Sequence, residues 1–141
     1  MSCRLGGKLS LPLVVPPRHS SCASCLRGEK EVGILICADR RWPENARVLA
    51  VRGAEAILIP SYGIWNEAND RWMLTRAYEN GRYVCFAHRH VCFVANPKGE
   101  MEARLQGNVD GVLLHDLDLG AVLHNHIEQR RWDLTGPLAR P

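Results

Sequence analysis

No apolar run in this chain approaches the roughly 20 residues that a bilayer-spanning helix requires. The longest candidates, residues 11–15 and 32–37, are far shorter, so no membrane partner is expected. Concentrated charge is lacking too. The net charge of +3 is spread along the chain, and only short pairs such as Arg40-Arg41 and Arg130-Arg131 stand together. No nucleic acid partner is expected from that pattern. A second Cys-x-x-Cys is also missing. Cys22-Ala-Ser-Cys25 has the spacing of half a zinc knuckle and would have to recruit His19, His88 or His90 to complete a site. A loop with incidental thiols is the simpler reading, with redox chemistry as the other alternative, and neither a metal nor a cofactor is expected. No internal repeat is present. The apolar stretch after the basic start is interrupted by Pro12 and followed by Pro16 and Pro17, which argues against a secretory signal.

What remains is the composition of one globular domain: 141 residues, 46% hydrophobic and 23% charged. Of the six cysteines, Cys37, Cys85 and Cys92 lie in apolar, strand-like runs. That usage implies reduced thiols and a cytoplasmic location. Composition changes near Gly28. Residues 1–30 read as an irregular segment rich in Gly, Pro, Ser and Cys, and residues 31–141 carry a regular pattern.

Residues 32–37, Val-Gly-Ile-Leu-Ile-Cys, have the continuous apolar character of a strand buried on both faces. Pro43 suits the first turn of a helix that Gly53 stops, and residues 56–59 form a second strand ended by Pro60. A polar and aromatic loop spans residues 61–69. A helix then runs from Asp70 to the stop at Asn80-Gly81. Residues 82–87 and 91–95 read as two strands, Asn96-Pro97-Lys98-Gly99 as a turn, and residues 101–105 and 112–117 as a further strand pair. A last helix is expected at residues 119–129. This order predicts an α/β (α+β layered) architecture rather than a bundle or a sandwich.

Cys37 stands at the end of a buried strand and just before a helix. The helix N-terminus favours a thiolate there, and a backbone N–H such as that of Ala38 can face a developing oxyanion. A small buried hydrophobe is the competing reading, and position alone does not separate the two.

The surrounding residues do. Ile36-Cys37-Ala38-Asp39-Arg40-Arg41-Trp42-Pro43-Glu44 leads through Ala46-Arg47 and Leu49-Ala50 to Arg52-Gly53-Ala54-Glu55 and Ile57-Leu58-Ile59-Pro60. Downstream come Arg76-Ala77-Tyr78-Glu79-Asn80, Asn96-Pro97-Lys98-Gly99, and Arg130-Arg131 with Asp133-Leu134 before Pro137. These ordered blocks resemble the C-terminal half of a carbon–nitrogen hydrolase domain of the nitrilase superfamily.

The resemblance implies a partial nitrilase-like α-β-β-α sandwich with its N-terminal half missing. It also implies Cys37 as the catalytic nucleophile and a small-molecule amide, carbamoyl or nitrile substrate cleaved through a thioester. The family's glutamate base and its lysine belong to the half of the domain that precedes the cysteine. Here only Lys8-Leu9-Ser10-Leu11-Pro12 faintly echoes the lysine segment, and Glu29 and Glu31 read as solvated charges. A truncated or misassigned start is one explanation of that departure. A catalytically inactive fragment acting as an association module is the alternative function.

The resemblance also implies a homo-oligomer, because the corresponding helices of the family help to form a dimer interface. Trp72 and Tyr78 are then interface or core residues, with core the default. Tyr62, Trp65 and Asn66 fall where the family's pocket is lined. His88-Arg89-His90 reads as an exposed turn, with substrate contact as the alternative. Arg76 and Glu79 are spaced to pair on one helix.

Overall fold

The computed structural model describes residues 8–10, 31–63, 65–107 and 111–131. Cys22, Cys25, His19, Glu29, Asp133 and Leu134 lie outside the described residues, and the expectations placed on them stay there. The centre of the fold is a five-stranded mixed sheet of β2 (Val32–Ile34), β3 (Ala56–Ser61), β4 (Tyr83–His88), β5 (Val91–Ala95) and β6 (Met101–Gln106), in that spatial order. β2, β3 and β4 run parallel, and β5 and β6 add antiparallel. Each parallel step is bridged by a helix, as parallel pairing requires. α1 (Pro43–Val51) crosses from β2 to β3, and α2 (Glu67–Asn80) from β3 to β4.

Both helices cover one face of the sheet, where Leu49, Ile57, Ile59, Met73, Val84, Phe86 and Phe93 form the main core. Gly33 in β2 is small for a reason. A Cβ there would lie 2.8 Å from Leu49 Cδ1 and 3.1 Å from Leu49 Cβ, so glycine lets α1 sit directly on the strand. Pro43 occupies the first turn of α1, where its missing N–H costs nothing. α2 is capped by Asn66, whose side chain accepts the Asn69 N–H, and ends at Gly81 in the left-handed conformation. Arg76 and Glu79 pair at 3.1 Å, as their spacing predicts.

The opposite face carries Ala56, Tyr83, Cys85 and Val94. It is covered by Leu117, Leu119 and Val122 from the C-terminal segment.

Five expectations are corrected by the structure. Residues 1–30 are not wholly irregular, because β1 (Lys8–Ser10) pairs antiparallel with β7 (Asp116–Asp118). For the same reason residues 112–117 do not partner residues 101–105, which pair with β5 instead. The helix expected at 119–129 is a 3₁₀ turn, Leu119–Ala121, followed by the short α3 (Asn125–Glu128). α2 starts at Glu67 rather than Asp70, since Asn66 offers the first cap. Glu31 is also not fully solvated, as its carboxylate lies half-buried over Gly53.

Candidate functional site

At the C-terminal end of β2 the chain turns sharply into a 3₁₀ helix, Cys37–Arg41, before α1 begins. Cys37 opens that turn with φ +50°, the only positive φ of a non-glycine residue among the described residues. A left-handed backbone at a side-chain-bearing residue costs on the order of 1 kcal/mol and persists where the surroundings enforce it. Asp39 supplies one constraint, accepting the Ile36 N–H at 3.1 Å and so bracing the turn. The Asn45 side chain donates to the Asp39 carbonyl at 3.0 Å and ties the turn to α1.

Three residues make one turn of a 3₁₀ helix, so Arg40 returns to the side of the turn on which Cys37 stands. Its guanidinium is buried. Nη1 donates to the Cys37 carbonyl and lies 3.9 Å from Cys37 Sγ. Nε donates to Asn69 Oδ1 of α2 at 2.7 Å, and Cζ stands 5.8 Å from the centroid of the Phe86 ring. A held cation therefore faces the sulfur from one side.

The backbone N–H groups of Tyr62 and Gly63, in the loop after β3, act on it as further donors. A Cβ on Gly63 would be 3.7 Å from Sγ, so the absence of a side chain leaves the sulfur open there.

Burial is the largest single influence on Cys37 and acts to raise its pKa. The two backbone N–H groups and the Arg40 guanidinium together outweigh it and hold the thiol below its ordinary value of 9.0. Hydrogen bonds and positive charge directed at a sulfur favour the thiolate. Cys85 has the opposite setting. It lies on the far face of the sheet, and burial, with a smaller contribution from the Glu102 charge, pushes its pKa up to about 12. Cys37, Cys85 and Cys92 are all free thiols.

The residues expected to line a pocket divide. Trp65 is half-buried, donates to Asp70 Oδ1 at 2.9 Å, and borders a cavity of about 380 Å³ with His90, Gln106 and Gly107. Tyr62 is exposed, and Asn66 is taken up by its cap.

The reading of His88 as part of an exposed turn is corrected, because it ends β4 and is buried. The reading of Trp72 and Tyr78 as core is corrected as well. They are 43% and 60% exposed, because α2 turns Asn69, Met73, Ala77 and Asn80 inward instead.

Arg40 and Asn69 were not singled out by the sequence. The three-residue spacing from Cys37 is a local signal for the arginine, but nothing local marks the asparagine. Among the described residues no group of three or more His, Cys, Asp or Glu side chains is placed to hold a metal, and no helix is long and apolar enough to cross a membrane.

The carbon–nitrogen hydrolase family model matches residues 11–123. A nitrilase from Pyrococcus abyssi is 32% identical over 110 residues, an alignment covering 71% of this chain and 42% of that protein. A hydrolase from Pseudomonas protegens is 43% identical over 60 residues, covering 41% of this chain and 21% of that one. Among solved structures, an amidase of the nitrilase superfamily from Nesterenkonia superposes with a TM-score of 0.67 at 23% identity, covering 85% of this chain and 48% of that chain. The chain thus spans less than half the length of each of these proteins. The shared α/β layering and the extent of the family match lead to one conclusion: this chain belongs to the carbon–nitrogen hydrolase family.

Proposed function

We propose that Cys37 is the nucleophile of a hydrolase acting on non-peptide carbon–nitrogen bonds, with an amide, carbamoyl or nitrile substrate. The observation that carries this reading is the setting of Sγ: it opens a tight turn after a parallel strand and faces two backbone N–H donors and the Arg40 guanidinium.

For an amide, the thiolate attacks the carbonyl carbon and the charge passes to the carbonyl oxygen. The C–N bond then breaks, the departing nitrogen takes a proton, and a thioester remains on Cys37. Water attacks the thioester carbon, the C–S bond breaks, and the acid leaves with the thiol restored. Donors already aligned at the sulfur hold it as the thiolate that makes the attack.

In the family a glutamate moves the protons. Among the described residues no carboxylate acts on Sγ, so the described site supplies the nucleophile and its anion-stabilising groups. Solved variants of the Nesterenkonia amidase support a nucleophilic cysteine in that protein: one carries the acetamide moiety of fluoroacetamide on its active-site cysteine, and others hold acrylamide or butyramide.

The test is competitive labelling of the full chain with iodoacetamide at neutral pH, read by peptide mass spectrometry. Cys37 is expected to label well ahead of Cys92, which is also half-buried. Equal, slow labelling of the two would sink an activated nucleophile.

A second reading, an inactive fragment that acts as an association module, is favoured by the exposed aromatic side chains Trp42, Trp72 and Tyr78. Homo-oligomerisation through this helical side and a cytoplasmic location are proposed under either reading.

A further inference from the structure

The groups that face Cys37 Sγ from the loop after β3 belong to the backbone, and a backbone donor is only as well placed as the loop that carries it. β3 ends at Ser61, whose register partner in β4 is His88. The last residue of β4 therefore stands beside the point where the chain leaves for Tyr62 and Gly63.

We infer that His88 is a positioning residue for Cys37, its imidazole fixing the loop whose N–H groups face the nucleophile. The inference rests on the reading of Cys37 proposed above.

The ring is held on three sides. It stacks on Phe86 with centroids 6.1 Å apart and an interplanar angle of 6°. Nδ1 lies 3.2 Å from the His90 backbone N and accepts its N–H, which leaves Nε2 to carry the ring proton. Nε2 lies 2.7 Å from the Gly63 carbonyl oxygen and donates to it. That carbonyl belongs to the peptide plane that follows Gly63, next along the chain to the two planes that carry the Gly63 and Tyr62 N–H groups, so fixing it anchors the far end of the donor-bearing segment.

The next residue reinforces the grip. Arg89 Nη1 donates to Tyr62 Oη at 3.3 Å, and its Cζ lies 5.4 Å from the centroid of the Tyr62 ring. The last residue of β4 and the one after it thus hold two consecutive residues after β3. Among the described residues, the charged and titratable groups near His88 include the His90 ring, with centroids 5.5 Å apart, Arg89 on the turn, Cys92, whose Sγ lies 3.9 Å from the His88 carbonyl oxygen, and Arg40 across the Phe86 ring.

The experiment is the pH profile of Cys37 alkylation by iodoacetamide in the full chain, followed on the Cys37 peptide. In His88→Leu the midpoint is expected to move up toward that of an ordinary thiol, with the rate at neutral pH falling about threefold to tenfold, tenfold corresponding to one pKa unit. His88→Gln places an amide N–H near the Nε2 position and is expected to recover most of the rate.

A merely structural role would lower the melting temperature of His88→Leu and leave the midpoint where it is, and that result overturns the inference. Should His88→Leu fail to fold, ring ¹⁵N shifts of the unaltered protein decide: the Nε2–H tautomer is expected, and an Nδ1–H tautomer overturns the inference. Failure of Cys37 to outpace Cys92 in the unaltered protein sinks the nucleophile reading and this one together. Failure confined to the variants sinks only this one.

Discussion

Cys85 shows what the same side chain does where nothing offsets burial. In the unfolded chain it loses its proton near 9.0, and in the folded protein it keeps it up to about 12. Between those values the unfolded state binds fewer protons, so stability falls as pH rises, at up to about 1.4 kcal/mol per pH unit from this group. Tyr83 adds to the loss from pH 10, since burial, aided by the charges of Glu102 and Asp118, raises it to about 12. Arg47 acts in the opposite sense above pH 10. Burial, with the neighbouring Arg130 charge, lowers its pKa to about 10, and shedding that proton relieves the folded state. Between pH 9 and 10 the decline from the described residues is therefore led by Cys85, with Cys37, held below 9.0, opposing it only near pH 9. Cys85→Val should flatten the decline in urea-unfolding free energy across that window, and an unchanged slope would count against the assignment. At this scale the position of Cys37 was legible in the sequence, because its turn is local and the residues that shape it, Asp39 and Pro43, are adjacent. The environment of its sulfur was not. Asn69, Gly63 and His88 reach it only through the packing of β3, β4 and α2.

Elements were legible where apolar runs and stop signals were strong, as in β4, β5, α1 and the end of α2. Pairing was less so. β6 alternates half-buried and exposed residues like any edge strand, and β7 finds its partner at Lys8–Ser10, near the other end of the sequence. No local pattern carries that information. The junction between α2 and β4 shows how tightly such long-range contacts bind the fold. Gly81 has φ +61°, and a Cβ there would lie 2.6 Å from the Leu123 carbonyl oxygen and 2.7 Å from Leu123 Cβ. The Leu123 N–H donates to the Gly81 carbonyl at 2.9 Å, so the C-terminal segment is fixed where the methyl group would go. Gly81→Ala should cost roughly 2–4 kcal/mol, combining left-handed strain with a clash against backbone. Gly33→Ala should cost less, roughly 1–2 kcal/mol, because the obstructing atoms belong to the Leu49 side chain. Urea unfolding of the two variants side by side checks the order, and a Gly33→Ala loss equal to or larger than that of Gly81→Ala would contradict it.

For the molecule as a whole, the question is what the exposed apolar surface faces. On the helical side, Arg76 donates to the Arg41 carbonyl at 3.4 Å, which sets Trp42 beside it, while Trp72 stands one helical turn before it on α2. Trp42 is 62% exposed and Trp72 43% exposed, so two tryptophans flank a half-buried arginine at the surface. Aromatic residues with a neighbouring arginine are what association interfaces favour at their centres. The homo-oligomer proposed above then predicts a dimer or larger species by light scattering across a dilution series. Trp42→Ser with Trp72→Lys should shift it to monomer. Because neither tryptophan is among the groups acting on Sγ, iodoacetamide labelling of Cys37 in the monomeric variant should keep its unaltered rate. A folded monomer in the unaltered protein at every concentration would remove both the oligomer and the association-module reading, and the thiolate setting of Cys37 would stand on its own chemistry.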